Sequence, residues 1–130
     1  MKILIVDDQA IHRDLLEAIF AKWPEHQITS VGSGQEALTL LKSRGHRYDL
    51  VFLDINMPDV SGLEVLEQIR ESPLHRSLQI VMCTCYKDRS TVLKAIELGA
   101  RHYIVKPATE EGITQKLRQV GAIPDYQQTN

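Results

Sequence analysis

Short apolar runs and longer amphipathic stretches alternate five times along the chain. The runs are KILIV at 2–6, QITSV at 27–31, DLVFL at 49–53, QIVMC at 79–83 and RHYIV at 101–105. Runs of this length separated by helical patterns of about 10–15 residues predict β-strands joined by crossover helices, an α/β domain built on a mostly parallel sheet. The first, third and fourth runs are apolar enough for strands covered on both faces, whereas QITSV is polar enough for a sheet edge. Between the strands, Ile11, Leu15 and Ile19 form one helical stripe and Leu63, Leu66 and Ile69 another, and both are expected to face the core. Ser33-Gly34 begins the helix that follows the second strand, Asp88 caps the helix carrying Val92, Ala95 and Ile96, and Gly99 stands where that helix ends.

The loop after the third run, LDINMPDVSG, poses a chemical question, because Asp54 ends four apolar residues. Pro58 fixes one backbone angle in this loop and Gly62 is expected to supply a positive one. In a doubly wound sheet, functional groups gather at the carboxyl ends of the strands. Asp7 and Asp8 follow the first strand, Asp54 the third, Thr84 the fourth and Lys106 the fifth, so five polar groups should face one crevice. Three carboxylates held close together repel unless a cation intervenes, and an all-oxygen set favours Mg²⁺, with Mn²⁺ as an alternative. Such a site suits a transient anion. For a phosphoryl group, the metal and Lys106 would neutralise its oxygens, the Thr84 hydroxyl would donate to it, and Asp54 is the best nucleophile candidate.

Composition narrows the setting. The 130 residues suffice for one domain, and the 43% that are hydrophobic can fill one core. Fifteen basic and seventeen acidic side chains, with no basic block, disfavour direct nucleic-acid binding. The apolar run at 3–6 is too short for a signal peptide and no later stretch reaches membrane-spanning length, so no membrane insertion is expected. Cys83 and Cys85, two apart on one strand, are badly placed to bond to each other, and a reducing cytoplasm is the expected location. Two cysteines with no histidine beside them also make a poor metal site. His12, His26, His46, His75 and His102 are scattered over different elements and are taken as surface or packing residues. Gly32-Ser33-Gly34 lacks the remainder of a dinucleotide fingerprint and is taken as a turn.

In VDD, LDINMPDVSG, MCTCYKD and LGARHYIVKP, in that order and each at a strand end, the chain closely resembles the receiver domain of bacterial two-component response regulators, of the single-domain, chemotaxis-regulator-like kind. The resemblance implies a flavodoxin-like, doubly wound, five-stranded parallel sheet of order 2-1-3-4-5 with five helices, spanning residues 1–123 and followed by a polar tail at 124–130. It makes Asp54 the phosphoacceptor, Asp8 and Asp54 direct Mg²⁺ ligands, Asp7 a ligand through water, and the Asn56 main-chain carbonyl a further ligand. Thr84 and Lys106 match the phosphate-binding pair, and Tyr103 the aromatic that reports activation. Lys106-Pro107 matches a bond that is often cis in the family. Asn56 and Tyr86 match positions that tune phosphoryl lifetime, and Cys85, where alanine is usual, is expected to narrow access to Asp54.

The implied function is a signalling switch that takes its phosphoryl group from a sensor histidine kinase or histidine phosphotransfer protein. It catalyses its own modification and hydrolysis and is not a conventional enzyme. Because the chain stops soon after its fifth helix, with no output domain, it is expected to bind a target protein through the fourth helix, fifth strand and fifth helix. Two alternatives fit less well. An aspartate-nucleophile phosphatase resembles Asp-x-Asp after the first strand, where this chain has adjacent Asp7 and Asp8. A flavin-binding electron carrier would want a Ser/Thr/Gly-rich loop there, and two aspartates would repel its phosphate.

Overall fold

The computed structural model describes residues 1–43, 47–58, 60–72, 77–84, 89–106 and 108–122. Five strands, β1 (Lys2–Val6), β2 (Gln27–Val31), β3 (Leu50–Asp54), β4 (Gln79–Thr84) and β5 (His102–Val105), alternate with α1 (Ala10–Phe20), α2 (Gly34–Lys42), α3 (Gly62–Glu71), α4 (Arg89–Glu97) and α5 (Glu110–Gln119). The strands form one parallel sheet in the order β2-β1-β3-β4-β5. QITSV is an edge strand, as its polarity requires, and fully buried LVFLD is central.

Period-two alternation divides the sheet's side chains between two cores. Leu4, Val6, Val51, Leu53, Ile80 and Met82 pack with α2, α3 and Ala95 of α4 on one face. Ile3, Ile5, Leu50, Phe52, Val81, Cys83 and Ile104 pack with α1 and α5 on the other. The same parity puts Asp54 on the α1/α5 side with Phe52, and Thr84 and Tyr103 on the α4 side with Met82.

Helix starts follow side-chain chemistry. Ser33, Ser61 and Thr109 each accept a hydrogen bond from the main-chain N–H three residues on, at Glu36, Glu64 and Gly112. Helix α4 ends on Gly99 at φ 97°, a left-handed conformation in which glycine carries no Cβ penalty. The capping assigned to Asp88 lies outside the described residues.

Three expectations are corrected. The stripe of α1 is His12, Leu16, Ile19 and Phe20, while Ile11 is 81% exposed and Leu15 only partly buried. The helix is turned by one residue, about 100°, from the position that sequence hydrophobicity alone favours. Gly62 does not take a positive φ; it opens α3, and a Cβ there would lie 2.2 Å from the Asp54 carbonyl oxygen. Its requirement is close backbone approach, not a left-handed turn. The strand bounds shift by one residue: β3 is Leu50–Asp54 and β4 runs on to Thr84, because Asp54 still pairs with Cys83 and Thr84 with Val105 in the ladder, and β5 begins at His102.

Candidate functional site

Register brings the chemistry together. Val6 pairs with Leu53 and Asp54 with Cys83, and beyond the ladder the Lys106 N–H donates to the Thr84 carbonyl at 2.7 Å and the Asp7 N–H to that of Val31 at 3.1 Å. Residues 7, 54, 84 and 106 are thereby held by main-chain bonds at one edge of the sheet. Asp7, Asp54, Thr84 and Lys106 are all buried, while Asp8 and Asn56 are exposed.

The Lys106 ammonium sits between two carboxylates, with Nζ 2.8 Å from Asp7 Oδ2 and 3.4 Å from Asp54 Oδ2. It also reaches Gln9 Oε1 at 3.4 Å. Burial alone would make this ammonium easier to deprotonate, but the two aspartates outweigh it and hold its pKa above the ordinary lysine value. Asp54 Oδ1 accepts the Asn56 N–H at 3.1 Å. Burial and the neighbouring Asp7 charge push Asp54 up to about 6 against the pull of Lys106. Asp7 behaves oppositely. Its burial is more than offset by hydrogen bonds from His12, Lys106 and the Gln9 N–H, so its carboxyl lies below the usual range.

One carboxylate oxygen from each of Asp7, Asp8 and Asp54 can be chosen so that all three lie within 4.8 Å of one another. Two of these groups are buried, and one is raised in pKa by the charge of the other. Three hard oxygen donors, whose carboxylates outnumber the one ammonium set between them, fit a small divalent cation.

Of the residues singled out from sequence, Asp7, Asp8, Asp54 and Lys106 meet here, with Asn56 bonded to Asp54 through its main chain. Thr84 ends the strand beside Asp54, buried, on the α4 side. Tyr103 is 46% exposed, with the Lys116 ammonium 5.9 Å from its ring centre. Cys85, Tyr86 and Pro107 lie outside the described residues, as do His46 and His75. Cys83 is fully buried and its thiol strongly raised by that burial, as suits a side chain that packs in the core. The two aspartates do not cap α1, whose first flanking residue is Gln9.

Sequence reasoning missed two neighbours. His12 is not a mere packing residue, for its Nδ1 is hydrogen-bonded to Asp7 Oδ2. Arg13 donates to the Asp7 carbonyl at 2.6 Å, fixing the main chain behind the carboxylate. No sequence signal marked them, because the apolar stripe Ile11, Leu15 and Ile19 placed His12 off the expected core face.

The response regulator receiver domain family matches residues 3–118 of the chain. The protein named "Probable chemotaxis protein CheY" in Rhizobium etli is 33% identical over 120 residues, which cover 92% of each chain. The two-component response regulator ARR11 of Arabidopsis thaliana is 35% identical over 107 residues, 82% of this chain but 20% of that much longer protein. Among solved structures, the chemotaxis response regulator CheY4 of Vibrio cholerae superposes with a TM-score of 0.81 at 26% identity, covering 92% of this chain and 97% of its own. With sequence, sheet order and strand-end carboxylates all in agreement, this chain belongs to the response regulator receiver domain family, the phosphorylation-dependent switches of two-component signalling.

Proposed function

We propose that Asp54 is the phosphoacceptor. The supporting observation is the Asp54 carboxylate, buried at the end of the central strand, 3.4 Å from the Lys106 ammonium and with an oxygen within 4.8 Å of one from each of Asp7 and Asp8. An Asp54 carboxylate oxygen attacks the phosphorus of a phosphohistidine on a kinase or phosphotransfer protein. The new O–P bond replaces the P–N bond, and the imidazole leaves with the electron pair and takes up a proton. Lys106 neutralises an anionic oxygen of the group in transit and the Thr84 hydroxyl donates to another. Asp7, Asp8, Asp54 and the Asn56 carbonyl would hold Mg²⁺, which when bound would supply positive charge to the phosphoryl oxygens. Later hydrolysis of the acyl phosphate by water resets the switch, with Asn56 flanking the approach.

The proposed domain is 1–123, in line with the family match at 3–118, and a cytoplasmic location accords with phosphohistidine donors. No helix among the described residues is long and apolar enough to cross a membrane. The proposed target surface is α4, β5 and α5. Leu93, Ile96 and Tyr103 are exposed there, three of the four large hydrophobic side chains so exposed among the described residues. Apolar exposure of this kind marks protein partners more readily than nucleic acid.

The test is intact mass after incubation with Mg²⁺ and acetyl phosphate. The wild-type protein should gain one phosphoryl group, and chelation of Mg²⁺ or Asp54→Asn should abolish the gain. Undiminished labelling of the variant would refute the assignment.

A further inference from the structure

Within the cation-site reading just given, on which this inference rests, His12 has no assigned part. It occupies the first buried position of the α1 stripe, ahead of Leu16, Ile19 and Phe20, and is only 7% exposed. An aliphatic side chain would fill that position without difficulty. Histidine fills it at a cost, because its Nε2 is buried with no hydrogen-bond partner among the described residues. Its other ring nitrogen lies on Asp7 Oδ2, the same oxygen that Lys106 Nζ approaches to 2.8 Å. Asp7 Oδ1 meanwhile accepts from the Gln9 N–H at 2.9 Å. An ionised carboxylate only accepts hydrogen bonds, so Nδ1 carries the imidazole proton and donates it to Asp7.

We propose that His12 is a positioning residue that withholds Asp7 from direct contact with the divalent cation, by donating from Nδ1 to the Asp7 oxygen that would otherwise be free to coordinate. A carboxylate has about four lone-pair sites. On Asp7, three of them already face the Gln9 N–H, His12 and Lys106. Lys106 is shared with Asp54 and can move toward a phosphoryl group, and the Gln9 bond is on the other oxygen. His12, locked in the core of α1, is the donor that stays. Asp8 and Asp54 are then the carboxylates left to touch the cation, with Asp7 meeting it through the cation's own water. Outer partners of metal ligands commonly alter affinity by about 10-fold or more. Here the partner competes with the metal, so its removal tightens binding.

The experiment titrates Mg²⁺ alone into wild type, His12→Leu and His12→Asn, following the amide shifts of Asp8, Asp54 and Asn56. Leucine removes the donor and keeps the apolar fill; asparagine keeps an N–H near the position of Nδ1. His12→Leu should bind Mg²⁺ about 10-fold more tightly, and His12→Asn should return to the wild-type affinity. Equal or weaker binding by His12→Leu, or identical behaviour of the two variants, would overturn the inference while leaving the cation site standing. No Mg²⁺-dependent shifts in the wild type would overturn the site and with it the role of His12. Ring ¹⁵N spectra of the wild type need no variant to fold. They should show a protonated Nδ1 before and after Mg²⁺ addition, and a bare Nδ1 would refute the donor role.

Discussion

Asp54 is held in a form that works against the fold. Its carboxyl is raised from 3.8 to about 6 by burial and by Asp7, so the native state binds its proton more tightly than the unfolded chain does. That binding stabilises the native state fully below pH 3.8, and the benefit is lost as pH rises to about 6. Above that pH the ionised carboxylate is a burden of about 3 kcal/mol, at roughly 1.4 kcal/mol per unit. Asp7, whose carboxyl is lowered, works with the opposite sign, but only below pH 3.8. Asp54→Asn should therefore raise metal-free stability by about 2–3 kcal/mol at pH 7 and by little near pH 4. Urea unfolding of both proteins in chelator at the two pH values measures this, and a gap independent of pH would contradict it. Saturating Mg²⁺ should shrink the gap at pH 7. At this scale the carboxylates and Lys106 were legible because each breaks an apolar run at a strand end, where solvation is poor and topology gathers groups. His12 was not, because nothing local in AIHRDLL distinguishes a histidine inside a helix stripe from one on its surface.

Elements were legible wherever local chemistry and packing agree. Strands β1 and β2 begin and end where hydrophobic alternation says they should, and the Ser33 start of α2 and the Gly99 end of α4 follow from side-chain capping and left-handed backbone. Helix α1 departs because tertiary bonds overrule its pattern. Arg13 and His12 both bind Asp7, and satisfying them turns Ile11 outward. Gly62 departs for a similar reason, since the contact that demands glycine comes from β3 and not from its own turn. Gly62→Ala should cost about 1–3 kcal/mol, the usual range for overpacking, because the added methyl meets main chain at 2.2 Å with no flexible side chain to give way. Thermal or urea unfolding measures the loss. A neutral substitution would show that the loop between β3 and α3 can move away from Asp54.

At the scale of the molecule, the proposed route from the site to its target surface runs along one face of the sheet. Thr84 and Tyr103 lie on the α4 face, and Tyr103 pairs with Met82, two residues before Thr84. A phosphoryl group on Asp54 adds about −1.5 to −2 charge and strong acceptors. The Thr84 hydroxyl should turn toward it, leaving room beneath α4 into which exposed Tyr103 can move. A modification shifts such an equilibrium only by its differential interaction with the two states. Thr84→Ala should thus still take up beryllofluoride, a phosphoryl mimic, but show a smaller change in amide hydrogen exchange over residues 89–99 and 102–105 than the wild type. Equal changes would route the signal elsewhere. Alternating elements gave the α/β class and polarity put QITSV at an edge, the order of the strands was implied by the family resemblance, and the exposed Leu93, Ile96 and Tyr103 became a surface only once α4 and β5 were adjacent. All of this depends on where the phosphoryl group goes. Reductive cleavage of the acyl phosphate with borohydride after acetyl phosphate labelling, followed by peptide mass mapping, reads that position directly. The expected result is modification at Asp54 alone; modification at Asp7 or Asp8 with Asp54 untouched would contradict the account.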